Sequence, residues 1–246
     1  MKLTVLGRHG PFPAPGGACS GYLLQSGDVT LALDLGSGTL SNLLRRLPSL
    51  ALTAVLLSHL HSDHMSDMLV LRYALQQLAI HGRPVPMPLT VVSPDEPELE
   101  FRQLAGSGVY DMVPARDGLR IRFGDLSILL HRVMHPVLTY CFDIEHQGRR
   151  LFYTGDTGYY GGLAELARGA NVILADTGFL NAEKTTEVAP HLTAGEAGRL
   201  AKLAGAEQLL CTHIWGGEPR DEAILAEAKA HFPNTLVVEE MHEYIV

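Results

Sequence analysis

The chain has 246 residues, of which 46% are hydrophobic and 19% charged, and its formal net charge is −8. This composition excludes intrinsic disorder, and the negative charge excludes a general electrostatic attraction to nucleic acid. No apolar run approaches the ~20 residues that cross a bilayer, and the opening MKLTVLGRHG becomes polar too soon for a signal peptide. We therefore expect a soluble, cytoplasmic protein without membrane partners, and we interpret residues 1–246 as a single domain.

The first part of the chain is mainly β. A loop rich in Gly and Pro covers residues 10–21, and helical spacing or helix-start residues predict helices over 39–47, 67–80 and 94–105. Short apolar and β-branched runs bounded by turn residues predict strands. These strands cover residues 3–6, 22–26, 29–35, 53–58, 88–93, 119–124, 126–134, 139–146 and 149–155.

Strands and helices alternate after Asp156. Further helices are predicted over 194–204 and 220–232, between strands over 171–176, 206–213 and 235–240. A β-rich part followed by a β/α part predicts an α/β fold in which two mixed β-sheets pack together with helices outside.

The most informative segment is SHLHSDH, residues 58–64, directly after the predicted buried strand. His59 and His61 share one side of an extended chain, and a turn can bring Asp63 and His64 to a second ion. Imidazole and carboxylate ligands suit zinc, with manganese and iron as alternatives. A polar loop with histidines by chance is the alternative, but the density of donors at a strand end favours a metal site.

Three further donors follow other predicted strands. His135 follows the strand over 126–134, Asp156 lies in YTGDTG after the strand over 149–155, and His213 ends the strand over 206–213. Each alone has an ordinary structural explanation, such as a satisfied strand end or a turn cap. Because ligands bind beyond the carboxyl ends of strands in α/β sheets, we expect the three to meet the first cluster.

SHLHSDH, His135, YTGDTG and CTH, in this order, resemble the metallo-β-lactamase superfamily of hydrolases. The resemblance implies an αββα sandwich with two metal ions between the sheets. It implies that His59, His61 and His135 hold one ion, that Asp63, His64 and His213 hold the other, and that Asp156 bridges them.

Within the superfamily the chain looks most like the ribonuclease Z and small-phosphodiesterase branch. The start GGACSGYLL and the segment His191-Leu192-Thr193 ahead of a helix carry this resemblance. It implies that His191 serves phosphate chemistry with an acidic partner, here Asp176, where the family usually has Glu. A surface histidine near a helix start is the alternative for His191.

The expected reaction is hydrolysis of a small phosphodiester or nucleotide, such as a cyclic nucleotide. A hydroxide bridging the two divalent ions would attack phosphorus, oriented by Asp63, because metal binding lowers the pKa of water to near 7. No projecting basic arm occurs in the sequence, so a large nucleic acid is disfavoured as a substrate. A tRNA 3′-processing endoribonuclease, a lactone or thioester hydrolase and a non-catalytic metal-binding domain remain alternatives. A homodimer is left open.

The three cysteines, Cys19, Cys141 and Cys211, form no C-x-x-C pair. Their odd number favours free thiols in a reducing compartment over a disulfide framework.

Overall fold

The computed structural model describes residues 1–186 and 189–246. Fourteen strands are present among these residues. They are β1 (Lys2–Gly7), β2 (Gly21–Ser26), β3 (Val29–Leu35), β4 (Ala54–Leu56), β5 (Leu89–Ser93), β6 (Tyr110–Pro114), β7 (Arg120–Phe123), β8 (Leu126–Arg132), β9 (Tyr140–His146), β10 (Arg149–Tyr153), β11 (Val172–Asp176), β12 (Gln208–Thr212), β13 (Thr235–Val237) and β14 (Glu243–Ile245).

The strands form two sheets of seven, in the orders β14-β1-β2-β3-β4-β5-β6 and β13-β12-β11-β10-β9-β8-β7. Each sheet is mixed. In the first, β14 to β3 are antiparallel neighbours and β3 to β6 are parallel. In the second, β7 to β10 are antiparallel and β10 to β13 are parallel.

Six α-helices lie among the described residues. They are α1 (Thr39–Arg46), α2 (Ser62–Ile80), α3 (Glu98–Ala105), α4 (Leu163–Leu166), α5 (Ala194–Ala204) and α6 (Asp221–Lys229). Apolar side chains of both sheets, such as Tyr22 and Phe142, form one core between the sheets. Helices α1 to α3 pack on the outer face of the first sheet, and α4 to α6 on the outer face of the second. The predicted αββα sandwich of two mixed sheets is confirmed.

Helix α2 begins five residues earlier than the sequence predicts. The predicted helix starts at Asp67, whereas α2 starts at Ser62 and includes Asp63 in its first turn. Apolar periodicity does not mark this turn because it carries polar donors, although an acidic residue there suits the helix dipole. Asp67 lies further along and caps a different helix, since its carboxylate accepts a hydrogen bond from the backbone N–H of Leu40 in α1 at 2.7 Å.

One helix start and two strands also differ clearly from the sequence-based expectations. The helix predicted from residue 94 begins at Glu98, after the prolines. Strands β6 and β14 are not predicted at all. Strand β6 ends in Pro114, which cannot donate to a sheet ladder and which β6 tolerates because it is the last strand of its sheet. Strand β14 has only three residues, too few to show an alternating pattern.

Helix α5 has the predicted bounds and is capped at both ends. The Thr193 hydroxyl accepts from the backbone N–H of Glu196 at 3.1 Å, and the Glu196 carboxylate accepts from the backbone N–H of Thr193 at 3.0 Å. Gly205 ends the helix with φ 69°, a conformation that glycine adopts without strain. The reciprocal cap fixes the backbone directly after His191. No helix in the described ranges is long and apolar enough to cross a membrane.

Candidate metal centre

The predicted donors come together at the carboxyl ends of strands from both sheets. His59 follows β4, His135 follows β8, Asp156 follows β10, Asp176 ends β11 and His213 follows β12. Three groups of donor atoms result, and within each group the atoms lie within 4.8 Å of one another. The groups are His59, His61 and His135; Asp63, His64, Asp156 and His213; and Asp156, Asp176, His191 and His213.

The first group presents ring nitrogens whose tautomers can be worked out. The Ser58 hydroxyl donates its one proton to Asp34, so it can only accept from Nδ1 of His59 at 3.0 Å. In the same way, Nδ1 of His135 donates to the carbonyl oxygen of Pro190 at 3.0 Å. Both Nε2 atoms therefore carry lone pairs.

Those two lone pairs converge on a third ring nitrogen. Nδ1 of His61 lies 3.0 Å from Nε2 of His59 and 3.2 Å from Nε2 of His135. One proton on His61 can satisfy only one of these neighbours. A single cation facing all three nitrogens would satisfy them together, and three imidazoles are a donor set typical of zinc.

The second group holds a buried histidine nitrogen that lacks a hydrogen-bond partner. Nδ1 of His64 donates to Asp34 at 2.8 Å, so Nε2 carries a lone pair whenever the ring is neutral. That buried Nε2 has no hydrogen-bond partner among the described residues, and it lies 3.3 Å from Oδ1 of Asp156 and 3.6 Å from Oδ2 of Asp63. Because a lone pair facing two carboxylates is repelled, this position favours either a proton on Nε2 or a metal cation between the three side chains. The donors present thus fit a divalent ion.

The protonation energetics of the two groups differ. Burial lowers the pKa of His59, His61 and His135, so the first group consists of neutral imidazoles. Burial also opposes charge on His64 and His213, but the carboxylates around them, led by Asp156, raise the pKa of both well above the usual value. The second group therefore has a strong preference for positive charge, which protons or metal ions can supply.

Asp34 is a site residue that the sequence analysis missed. Its buried carboxylate accepts hydrogen bonds from the Ser58 backbone and hydroxyl, from Nδ1 of His64 and from the Tyr153 hydroxyl, at 2.6–2.8 Å. A partner of this kind fixes the tautomer and ring orientation of a metal-binding histidine. The signal was present in the sequence, because an aspartate in the apolar strand LALDL is unusual for a buried strand.

His191 and Asp176 form a direct pair. Nδ1 of His191 donates to Oδ2 of Asp176 at 2.9 Å, and the His191 ring stacks on His213 with centroids 4.9 Å apart. Burial opposes charge on His191, but Asp176 outweighs it and raises the pKa of the ring. Aspartate, one methylene shorter than the glutamate usual in the resembled branch, still reaches the histidine.

The backbone around His213 is unusual. His213 has φ 56° and Asp34 has φ 55°, values that residues other than glycine seldom adopt and that cluster at functional sites. A Cβ atom on Gly10 would lie 1.9 Å from Nε2 of His213 and would collide with the ring. Glycine is therefore required at position 10 for the chain to approach this ring.

Comparison with known protein families agrees with this geometry. The model of the family described as β-lactamase superfamily domain matches residues 34–214, which extend from Asp34 just past His213. The chain belongs to the β-lactamase superfamily. The resemblance stated from SHLHSDH and its downstream partners is thereby confirmed at the level of the family.

Two relatives of this superfamily member extend the comparison. A protein of Bacillus subtilis named as the probable metallo-hydrolase YhfI is 34% identical over 87% of each chain. The crystal structure of YhfI superimposes with a TM-score of 0.92 at 31% identity, covering 99% of this chain and 98% of that one. A ribonuclease Z of Mycolicibacterium paratuberculosis is 26% identical over 87% of this chain and 85% of its own length. The family and the donor groups together support a metal-dependent hydrolase.

Proposed function

We propose that the chain is a dinuclear metal-dependent phosphodiesterase that hydrolyses a small phosphodiester, such as a cyclic nucleotide. The observation that carries this proposal is the His191–Asp176 pair directly beside two groups of metal donors. Metal-ion pairs clamp the attacking and leaving oxygens of an in-line displacement, and a histidine beside them can protonate the leaving oxygen.

We assign His59, His61 and His135 to one ion, and Asp63, His64 and His213 to the other. Asp156 is assigned as the bridge because its carboxylate faces both groups. Its Oδ2 lies 3.6 Å from Nε2 of His59 and 3.2 Å from Nε2 of His213, and its Oδ1 lies 3.3 Å from Nε2 of His64. Nitrogen and carboxylate donors favour zinc, with manganese and iron as alternatives.

Bound ions would lower the pKa of a water molecule and offset the charge of the phosphate oxygens. Side chains of this protein would orient the attacking water and protonate the leaving oxygen. Asp63, whose Oδ2 lies 3.2 Å from Nε2 of His213, is placed to accept a hydrogen bond from the attacking water and so orient it. His191 is held through Nδ1, so its Nε2 is the atom that can reach the ester oxygen. As the bond from phosphorus to that oxygen breaks, the oxygen takes a proton from His191.

The charge distribution supports ions as the counter-charge for an anionic substrate. The basic side chains around the site are already paired with carboxylates: Arg220 with Glu183 and Glu218, Lys184 with Glu196, and Arg8 with Asp221. None of these three basic side chains therefore has a positive charge left unpaired for a phosphate. An acidic protein that takes a phosphodiester therefore needs the metal ions to attract it.

The alternative of tRNA 3′ processing draws on the relatives named ribonuclease Z. Three arginines that could attract a nucleic-acid backbone argue against it, because each pairs with a carboxylate: Arg149 with Glu207, Arg150 with Asp143 and Arg116 with Asp95. A lactone or thioester hydrolase would use the same donors but has less need of a proton donor held as His191 is. A non-catalytic metal-binding domain would need only one closed site.

One panel of substrates distinguishes these functions. Metal-loaded protein is assayed with bis-p-nitrophenyl phosphate, cyclic nucleotides, precursor tRNA, lactones, a thioester and nitrocefin. We expect hydrolysis of bis-p-nitrophenyl phosphate and of a cyclic nucleotide. Turnover of precursor tRNA in preference to cyclic nucleotides would favour the endoribonuclease. Turnover of lactones or thioesters alone would favour the lactone or thioester hydrolase. No turnover of any substrate would favour the non-catalytic metal-binding domain.

A further inference from the structure

A cavity of about 410 Å³ opens beside the metal centre. His191 and His213 line one part of it, so it is continuous with the proposed reaction site. Its other walls include Pro11, Phe179 and Trp215. The volume lies in the range of small-molecule sites, which are mainly apolar with a few polar groups.

The apolar walls are held in place by their neighbours. The Phe179 ring packs edge-on against His191 with centroids 5.4 Å apart. The Arg220 guanidinium lies 4.6 Å from the centre of the Trp215 ring, and a Cβ on Gly217 would meet the indole at 2.7 Å. Trp215 nevertheless remains 37% exposed, which is high for so large an apolar side chain beside a site. Aromatic rings held in this way bind flat aromatic groups by stacking.

The charges around Arg220 disfavour a second phosphate in this part of the cavity. Arg220 is its one arginine, and its Nη1 and Nη2 lie 3.0 Å from carboxylate oxygens of Glu183 and Glu218. Two carboxylates on one guanidinium leave a net negative charge, which repels phosphate. Arg220 is only 5% exposed, so its side chain forms part of the cavity wall. Arg220 contributes to this wall by supporting the Trp215 ring.

We infer that this cavity is a nucleobase subsite. The base of a nucleotide stacks against Phe179 and Trp215, and its phosphate lies at the metal donors. The inference rests on the proposed function and narrows its substrate class to phosphodiesters that carry a base.

Trp215 is the sole tryptophan of the chain, so tryptophan fluorescence reports on this cavity directly. Metal-loaded protein is titrated with adenosine 5′-monophosphate, a monoester that a phosphodiesterase does not turn over, with correction for absorbance. Ribose 5-phosphate, which lacks the base, is the matched ligand. We expect saturable quenching by the nucleotide, and binding at least tenfold weaker, without comparable quenching, for the sugar phosphate.

Phe179→Leu removes a ring while keeping the reporter and an apolar wall. We expect it to weaken nucleotide binding by roughly 5- to 150-fold, the range that base stacking on an aromatic side chain covers. Tyr73→Leu, which removes an exposed ring on α2 outside the cavity, is the control and should leave the dissociation constant unchanged. Circular dichroism checks that both variants fold.

Two results would overturn the subsite. One is equal affinity for the nucleotide and for ribose 5-phosphate in the unmodified protein, which requires no variant. The other is a folded Phe179→Leu protein with unchanged nucleotide affinity. The proposed function fails separately, since it falls if the same preparation hydrolyses no phosphodiester even though the nucleotide quenches Trp215.

Discussion

Asp176 accepts a hydrogen bond from Nδ1 of His191 at 2.9 Å through its Oδ2 atom. Its other oxygen, Oδ1, lies 3.4 Å from Nδ1 of His213. One buried carboxylate therefore faces both the proposed proton donor and a proposed metal ligand. Replacing Asp176 should consequently disturb both histidines, whereas replacing one histidine removes only the role of that histidine.

Replacing His191 with alanine removes the group that we expect to protonate the leaving oxygen. The turnover number for bis-p-nitrophenyl phosphate should fall by about 10²–10⁴. Metal content, measured by elemental analysis, should stay at the level of the unmodified protein because we assign His191 to neither ion. His81→Ala, at an exposed histidine, is the control. An unchanged rate for His191→Ala would make His191 an ordinary surface histidine.

Asp176→Asn should affect catalysis and metal binding together. If Asp176 only oriented His191, its loss would cost less activity than the loss of His191. The contact with His213 changes this expectation, because partners of ligating histidines typically contribute 10–100-fold to metal affinity. We expect slower turnover and a metal affinity lower by about that factor. Unaltered metal affinity in a folded variant would contradict the contact with His213.

Asp34→Asn should weaken metal binding although residue 34 touches no proposed ion. The amide cannot accept from Ser58, His64 and Tyr153 at once, so the ring of His64 loses its fixed orientation. Metal affinity should fall by about 10–100-fold, measured by competition with a chromophoric chelator. Asp28→Asn, at an exposed aspartate in the turn before the same strand, should have no effect. Equal metal affinities of the Asp34→Asn and Asp28→Asn variants would show that Asp34 does not position His64 for metal binding.

The three cysteines should be unreactive in the native protein. All are buried and free, and burial raises the pKa of Cys19 and of Cys211 to about 12 and that of Cys141 above its usual range. Because the thiolate is the reactive form, Ellman's reagent at pH 8 should label no thiol within minutes in the native protein. Three thiols per chain should react in guanidinium chloride. Rapid labelling of the native protein, or fewer than three thiols after denaturation, would contradict this.

The sequence predicted the sandwich and the donors because both have local signatures. Buried strands carry apolar runs, and SHLHSDH concentrates four donors directly after one of them. What it could not predict depends on distant residues. Asp34 and Ser58 are 24 residues apart, and the role of Asp34 appears only when β3 and β4 pair. The start of α2 was missed because donors, not apolar residues, occupy its first turn.

The walls of the cavity also could not be predicted from the sequence. Phe179 follows β11, whereas Trp215 and Arg220 both follow β12, and only the fold brings them beside His191. Nothing in the sequence around Arg220 marks it as a residue of this cavity. The ion pair of Arg220 with Glu183 joins residues 37 positions apart, so it forms only in the folded chain.

The central claim, a two-ion site that hydrolyses phosphodiesters, is tested most directly by metal titration of the stripped protein. Protein freed of metal by chelation is supplied with zinc or manganese in increments, and bis-p-nitrophenyl phosphate hydrolysis is followed beside elemental analysis. The account predicts no hydrolysis without metal, full activity at about two ions per chain, and no activity at any metal level for Asp63→Ala. Full-rate hydrolysis by metal-free protein, or a fully active protein that never holds more than one ion, would contradict it.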